Sequence, residues 1–272
     1  MKVLSRTGYY AASILTLLTR FERPFQILGI FLGRPGSLPT EIQLKQGGYR
    51  FSVREAMDVW VIKETCVDAD YLPVTAFRPD WTVVDIGAGL GDFTVLAAAH
   101  CPVGRVFAYE PLAASFDLLQ HNLALNGITN AAAFQQATAS TAGTMSAVLE
   151  GVEAVSTRFT AESGEGTVKE AAIPVITLAE MLDRLPNGRC DLMKIDCEGC
   201  EFDLLLDSPP GLLSRIDRLT IETHDGYNDC STNHLAAYLR QQGFSVRERA
   251  NPVHDYLGFI YAERHTISEH HG

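Results

Sequence analysis

Trp81-Thr-Val-Val-Asp-Ile-Gly-Ala-Gly-Leu-Gly-Asp-Phe93 decides the fold. A short β-branched run delivers Asp85, and Gly87, Gly89 and Gly91 then follow at alternate positions before a helical pattern begins. A strand that ends in a glycine turn and opens a helix lets backbone approach a ligand closely, because no Cβ intervenes. A dinucleotide fingerprint, G-x-G-x-x-G, would need its third glycine at 92, and that position holds Asp92. D-x-G-x-G-x-G suits a nucleoside with no pyrophosphate to cradle, and S-adenosylmethionine is the first candidate. Phe93, at the start of the following helix, is placed beside that ligand.

Val106-Phe-Ala-Tyr-Glu110-Pro111 reads as a second short strand closing on a carboxylate, 25 residues beyond Asp85. In doubly wound sheets an acid at this point accepts hydrogen bonds from a ribose diol. Asp85, Gly87, Gly89, Gly91, Phe93, Glu110 and Pro111 therefore form the expected nucleoside site.

From Trp81 onward strands and helices alternate. Strands are expected at 81–86, 105–109, 131–136, 173–176, 191–196 and 217–222, with an antiparallel pair at 244–249 and 256–262. The expected fold class is α/β, a doubly wound and mainly parallel seven-stranded sheet with its crevice at the carboxyl ends of the strands. Residues 1–45 read as a helical extension, 46–264 as the main domain and 265–272 as a flexible tail. Pairs of alternating runs at Met145–Leu149 and Val155–Thr160, with Ser163-Gly-Glu-Gly166, make 138–170 an inserted hairpin and loop. Ile42–Val53, with Gly47-Gly48 inside it, reads as a short hairpin, and Glu55–Tyr71 as a helix.

The 272 residues carry a formal charge of −11, with +5 in residues 1–50 and −16 in the rest. So acidic a body argues against a nucleic-acid groove, which needs cationic surface. No apolar run is long enough to span a bilayer, and the chain reads as cytoplasmic. The basic opening, with Lys2, Arg6, Arg20, Arg23 and Arg34, is expected to pack on the body or on a second subunit of a homodimer. The alternative is peripheral contact of residues 1–34 with an inner membrane face. Six cysteines show no repeating framework and read as reduced thiols.

A second constellation lies further along the chain. Asp191-Leu-Met-Lys-Ile-Asp-Cys-Glu-Gly-Cys-Glu201 sets Asp196, Glu198 and Glu201 around a strand exit, with Lys194 inside the strand. Leu219-Thr-Ile-Glu-Thr-His-Asp225 brings Glu222 and His224 to the same edge. A polar pair in a buried strand needs partners or a function.

D-I-G-A-G-L-G-D-F, F-A-Y-E-P, L-M-K-I-D-C-E-G-C-E and I-E-T-H, in this order, resemble the FkbM family of S-adenosylmethionine-dependent O-methyltransferases. R-E-A-M-D-V-W-V-I-K-E-T at 54–65 and T-L at 177–178 also fit, and the likeness covers roughly residues 45–262. It implies a class I methyltransferase fold and methyl transfer to a hydroxyl, often of a sugar or a polyketide-type natural product. Two positions depart from the family pattern: Ala179 stands where Asp is common, and both variable positions of K-I-D-x-E-G-x-E are cysteine. The Cys197-x-x-Cys200 pair has no second pair beside it and reads as two small core hydrophobes.

An alcohol is a poor nucleophile while protonated, so His224 is expected as the base, with Asp196 and Glu222 beside it and Asp196 also against the cofactor. The alternative has Asp196, Glu222 and His224 hold Mg²⁺, which would lower the hydroxyl pKa. Other readings are methyl transfer to nitrogen or carbon of a small metabolite, and a non-catalytic nucleoside-binding protein on the same fold.

Overall fold

The computed structural model describes residues 6–33, 39–72, 76–148, 170–226 and 229–264. Lys2, Arg34, the run Val155–Thr160, Ser163–Gly166 and the tail 265–272 lie outside the described residues. The opening segment forms two helices, α1 (Arg6–Arg20) and α2 (Pro24–Phe31), as its apolar runs suggest. Pro24 begins α2, where its fixed φ helps and its missing N–H costs nothing. A hairpin comes next, β1 (Thr40–Gln43) and β2 (Arg50–Val53), turned by Gly47 and Gly48, both at positive φ. This hairpin straddles position 45, so the boundary expected there falls inside one structural unit. Leu17 of α1, Phe21 between the helices and Ile27 of α2 share a core with Ile42, Leu44, Phe51 and Leu119. The outer side of the arm keeps Ile14, Leu15, Phe25 and Leu32 exposed.

The helix expected over 55–71 is α3 (Ala56–Lys63), which widens into a π-helical turn at Glu64–Asp68 and stops at Ala69, in the left-handed region. Such a widened turn adds a residue to the helical repeat and changes the direction of the chain beyond it. Here it delivers Tyr71 into the body, where it is buried.

The body alternates as expected: β3 (Thr82–Ile86), α4 (Asp92–His100), β4 (Arg105–Tyr109), α5 (Ala113–Leu125) and β5 (Ala131–Phe134). After a side sheet come α6 (Leu178–Arg184), β9 (Leu192–Ile195), α7 (Cys200–Leu206), β10 (Arg218–His224), α8 (Thr232–Gln241), β11 (Phe244–Ala250) and β12 (Leu257–Arg264). The side sheet has three strands, β6 (Ala137–Thr138), β7 (Gly143–Val148) and β8 (Glu170–Ile176), so the strand expected at 173–176 pairs with the described part of the insertion rather than joining the main sheet.

The main sheet has seven strands in the order β11-β12-β10-β9-β3-β4-β5. The run from β10 to β5 is parallel and β12 is antiparallel to both neighbours. β3 and β9 are almost wholly buried, which explains their mainly apolar and β-branched character, broken only by Asp85 and Lys194, which face each other. The chain steps outward from β3 through β4 to β5, then returns to place β9 on the other side of β3. That reversal opens a crevice at the carboxyl ends of β3 and β9, where Ile86 pairs with Ile195. Gly87 and Asp196 are the next residues out.

Candidate active site

A cavity of about 300 Å³ occupies this crevice. Gly87, Gly89, Glu110, Pro111, Lys194, Asp196 and Tyr71 line it, together with the first turn of α3 and Thr138 of the side sheet. The three glycines serve different purposes. A Cβ on Gly87 would lie 1.7 Å from the Asp196 carbonyl oxygen, so this glycine lets β3 and β9 close together. Gly89 meets nothing within 4 Å of a Cβ and faces the cavity, and its N–H donates to Glu110 Oε2 at 2.8 Å. Gly91, at φ 90°, caps α4 and would strike Leu119, and it stands outside the cavity wall.

Glu110 also accepts from the Leu112 N–H at 2.9 Å. Burial pushes its pKa up to about 7, against the pull of these two N–H donors. An open glycine loop facing a buried carboxyl group that can accept from a diol fits a nucleoside. Pro111 belongs to the same wall. Asp85 and Phe93 do not. Asp85 is fully buried beneath the loop, bonded to Thr94 Oγ1 at 2.6 Å and 3.3 Å from Lys194 Nζ. Phe93 packs edge-on to Tyr71 in the core.

Lys194 ties the two strands' exits together. Its Nζ donates to the Gly87 carbonyl at 2.7 Å and lies 3.6 Å from Asp196 Oδ2. Burial opposes its charge, yet Asp85, Asp196 and Asp92 outweigh that and raise its pKa.

The Tyr71 hydroxyl meets Asp196 Oδ2 at 3.0 Å and also Glu222 Oε2. A phenol has one hydrogen, so it cannot donate to two carboxylates at once. Burial, and next the charge of Asp196, push the Glu222 pKa up to about 8. Glu222 therefore keeps its proton at neutral pH and donates to Tyr71, whose own hydrogen goes to Asp196. Sequence reading missed Tyr71, because its place depends on the π-helical turn and nothing in 55–71 marks one.

His224 stands apart from this wall. Its backbone N–H and ring Nδ1 meet Glu201 Oε1 at 2.8 and 3.1 Å, and Nε2 lies 3.5 Å from Glu198. Burial disfavours its charge, but the Glu201 hydrogen bond and the charges of Asp196, Glu201 and Glu198 prevail and raise its pKa to about 9. At neutral pH the ring is a cation against a buried carboxyl group, the opposite of the expected unprotonated base.

Nor do Asp196, Glu222 and His224 form a magnesium site. Asp196 and Glu222 meet through a phenol, Lys194 supplies the nearby cation, and the imidazole turns to Glu201. Among the described residues no group of three or more His, Cys, Asp or Glu side chains is arranged to hold a metal ion.

A further correction concerns the cysteines. Cys197 and Cys200, expected as reduced core hydrophobes, are joined by a disulfide, with their Cα atoms 5.5 Å apart. Both line the cavity, and Cys197 also packs against the core as expected. Left-handed conformations at Glu198 and Gly199 fold the loop back so that the two sulfurs meet. Spacing alone does not report that turn. Cys66, Cys101, Cys190 and Cys230 remain thiols, as expected.

The family model for the FkbM methyltransferase domain matches residues 85–246. Among characterised proteins, the chain is 27% identical over 208 residues to Methyltransferase 1 of Beauveria bassiana, spanning 69% of this chain and 81% of that one. It is also 27% identical over 247 residues to Methyltransferase sdnD of Sordaria araneosa, spanning 79% and 93%. A crystal structure of Methyltransferase FkbM from Methylobacillus flagellatus aligns over 94% of this chain and 59% of that one, at 14% identity and a TM-score of 0.46. The matched segment runs from the carboxyl end of β3 through β9 and β10 to β11, and so includes every strand exit that builds the cavity. The chain belongs to the FkbM methyltransferase family.

Proposed function

We propose that this protein is an S-adenosylmethionine-dependent O-methyltransferase acting on a hydroxyl of a sugar, glycan or natural-product acceptor. The observation that carries this reading is the opposition, across one cavity, of the Glu110–Gly89 wall and the Asp196–Tyr71 wall. S-Adenosylmethionine supplies a methyl group already activated on a positively charged sulfur. Glu110 and Pro111 hold the ribose end, and the open face of Gly89 leaves room for it. The chain's own task is then to hold the acceptor in line, worth ~7–11 kcal/mol, and to take its proton.

Asp196 takes the hydroxyl proton in this reading. Its Oδ2 is held by the Tyr71 hydrogen and the Lys194 ammonium, so its orientation is fixed before the acceptor arrives. Glu222, protonated, keeps the Tyr71 hydrogen pointed at Asp196. His224 acts at one remove, steadying the Glu201 end of the same loop.

Transfer of labelled methyl groups to a panel of sugars, hydroxylated natural products and amines tests the reaction class. Asp196→Asn is expected to lower turnover on a hydroxyl acceptor by ~10²–10⁴, beyond any change in affinity seen by calorimetry. Transfer only to amines, unaffected by Asp196→Asn, would replace this reading with N-methylation, because an amine acceptor does not need a strong base.

A further inference from the structure

Two sulfurs in the wall of a ligand cavity invite chemistry that methyl transfer does not use. Cys197 and Cys200 line the cavity with Asp196 and Thr138, and each is partly accessible. Thr138 Oγ1 lies 3.1 Å from Cys200 Sγ, and Glu201 Oε2 lies 3.7 Å from Cys197 Sγ. The bond closes the loop that carries Asp196 at one end and Glu201 at the other. Within it Glu198, a residue with a Cβ, sits at φ 55°. That conformation is unfavourable for a residue with a Cβ and persists only where surroundings impose it.

We propose that Cys197 and Cys200 form a reversible dithiol–disulfide site, opened from the cavity by small thiols of the glutathione or dithiothreitol class. A thiolate from outside attacks one sulfur, forming a mixed disulfide and releasing the other cysteine as a thiolate, which takes up a proton. A second external thiolate then attacks the external sulfur of that mixed disulfide, bonding to it and releasing the other protein cysteine as a thiolate, which takes up a proton. Two external thiols lose two electrons and become one disulfide, and the protein pair gains those electrons as two thiols. Oxidised glutathione drives the reverse reaction.

Three of the four remaining cysteines are poor candidates for the same chemistry. Cys101 and Cys190 are buried, and burial raises the pKa of both thiols, to about 11 for Cys101. Burial likewise raises that of Cys66. Reactivity follows thiolate character and access, which sets the cavity pair apart from these three thiols. Opening the bond frees Glu198 from its imposed conformation and loosens the loop holding Asp196 and Glu201. The disulfide form is thus the better-organised binding wall. This last consequence rests on the cavity being the cofactor site.

The test begins with the full chain equilibrated in oxidised glutathione. Native thiols are counted with a chromogenic reagent before and after dithiothreitol and removal of the reductant. A gain of two, mapped by alkylation and mass spectrometry to Cys197 and Cys200, is expected, with no gain in Cys197→Ser/Cys200→Ser. Two thiols at these positions already free in the oxidised sample, or a bond that native protein never yields to reductant, would overturn the site.

S-Adenosylhomocysteine is then added during reduction. At saturation it is expected to slow bond opening at least tenfold and to bind several-fold tighter to the oxidised form by calorimetry. If it binds but neither protects the disulfide nor distinguishes the two forms, the sulfurs do not belong to the binding wall and the coupling is wrong. If it binds neither form, the cofactor reading and the coupling fall together, and the thiol count alone decides the redox site.

Discussion

At Tyr71 a single hydroxyl hydrogen orders three side chains. Tyr71→Phe removes it and sets Glu222 and Asp196 against each other with no mediator. Loss of a hydrogen bond to a charged group costs about 1–3 kcal/mol, so the urea midpoint is expected to fall, and turnover to fall further than cofactor affinity. An unchanged midpoint would show that the two acids are not bridged in solution. Glu110→Ala removes the acceptor facing the cavity and is expected to weaken S-adenosylhomocysteine binding by about 1.5–3 kcal/mol in calorimetry. For His224 the geometry predicts a stability defect first. His224→Gln leaves the fully buried Glu201 without its cation, an unbalanced arrangement that costs about 3–5 kcal/mol and is read as a lower melting temperature. Normal stability with turnover lost would instead return His224 to the role of base.

At the scale of elements, glycine positions separate binding from folding. Gly89→Val puts a branched side chain into the open cavity, and cofactor affinity is expected to collapse while the fold largely survives. Gly91→Val forces a side chain onto Leu119 at φ 90°, and the expected loss is in stability. The same reasoning applies to the arm. The arm contributes Leu17, Phe21 and Ile27 to the core beneath the hairpin, so a chain starting at Pro39 exposes their partners Ile42, Leu44 and Phe51. Aggregation or a clearly lower melting temperature is expected. A shortened chain that stays monomeric and stable, but no longer floats with anionic liposomes as the full chain does, would assign the arm to a membrane instead.

Across the whole molecule, four buried carboxyl groups and His224 bias stability the same way. Burial raises Glu64 and Glu110 to about 7, Asp92 to about 6 and Glu222 to about 8. Each therefore holds its proton in the folded chain at a pH where the unfolded chain has lost it. His224, raised to about 9, adds stability that is complete below its unfolded pKa and disappears as pH rises through 9. The sum falls as pH increases from about 5 to 9, and the formal charge of −11 adds self-repulsion at the alkaline end. Denaturant melts at pH 6 and pH 9.5 are expected to differ by a few kcal/mol, on the order of 1.4 kcal/mol for each unit of retained shift. Greater stability at pH 9.5 would contradict the protonation states of Glu222 and His224 together.

The alternation of strands and helices, the glycine loop, the acid at 110 and the family itself were legible in the sequence, because they depend on local pattern. β-Branched runs, a glycine at every second position and a carboxylate at a strand end are written within short stretches of chain. The apolar arm and the hairpin with Gly47-Gly48 were legible for the same reason. Three matters depended on packing between distant segments. Tyr71 reaches Asp196 and Glu222 across separations of 125 and 151 residues, through a widened helical turn that has no sequence mark. The state of His224 is decided by which acid it meets, and Glu201 arrives from α7 rather than from its own strand. The two cysteines meet because Glu198 and Gly199 take left-handed conformations that a Cys-x-x-Cys spacing permits but does not require. Sequence determined which chemistry-bearing groups arrive at the sheet edge; tertiary structure alone set their mutual distances and burial, and with these their protons and bonds.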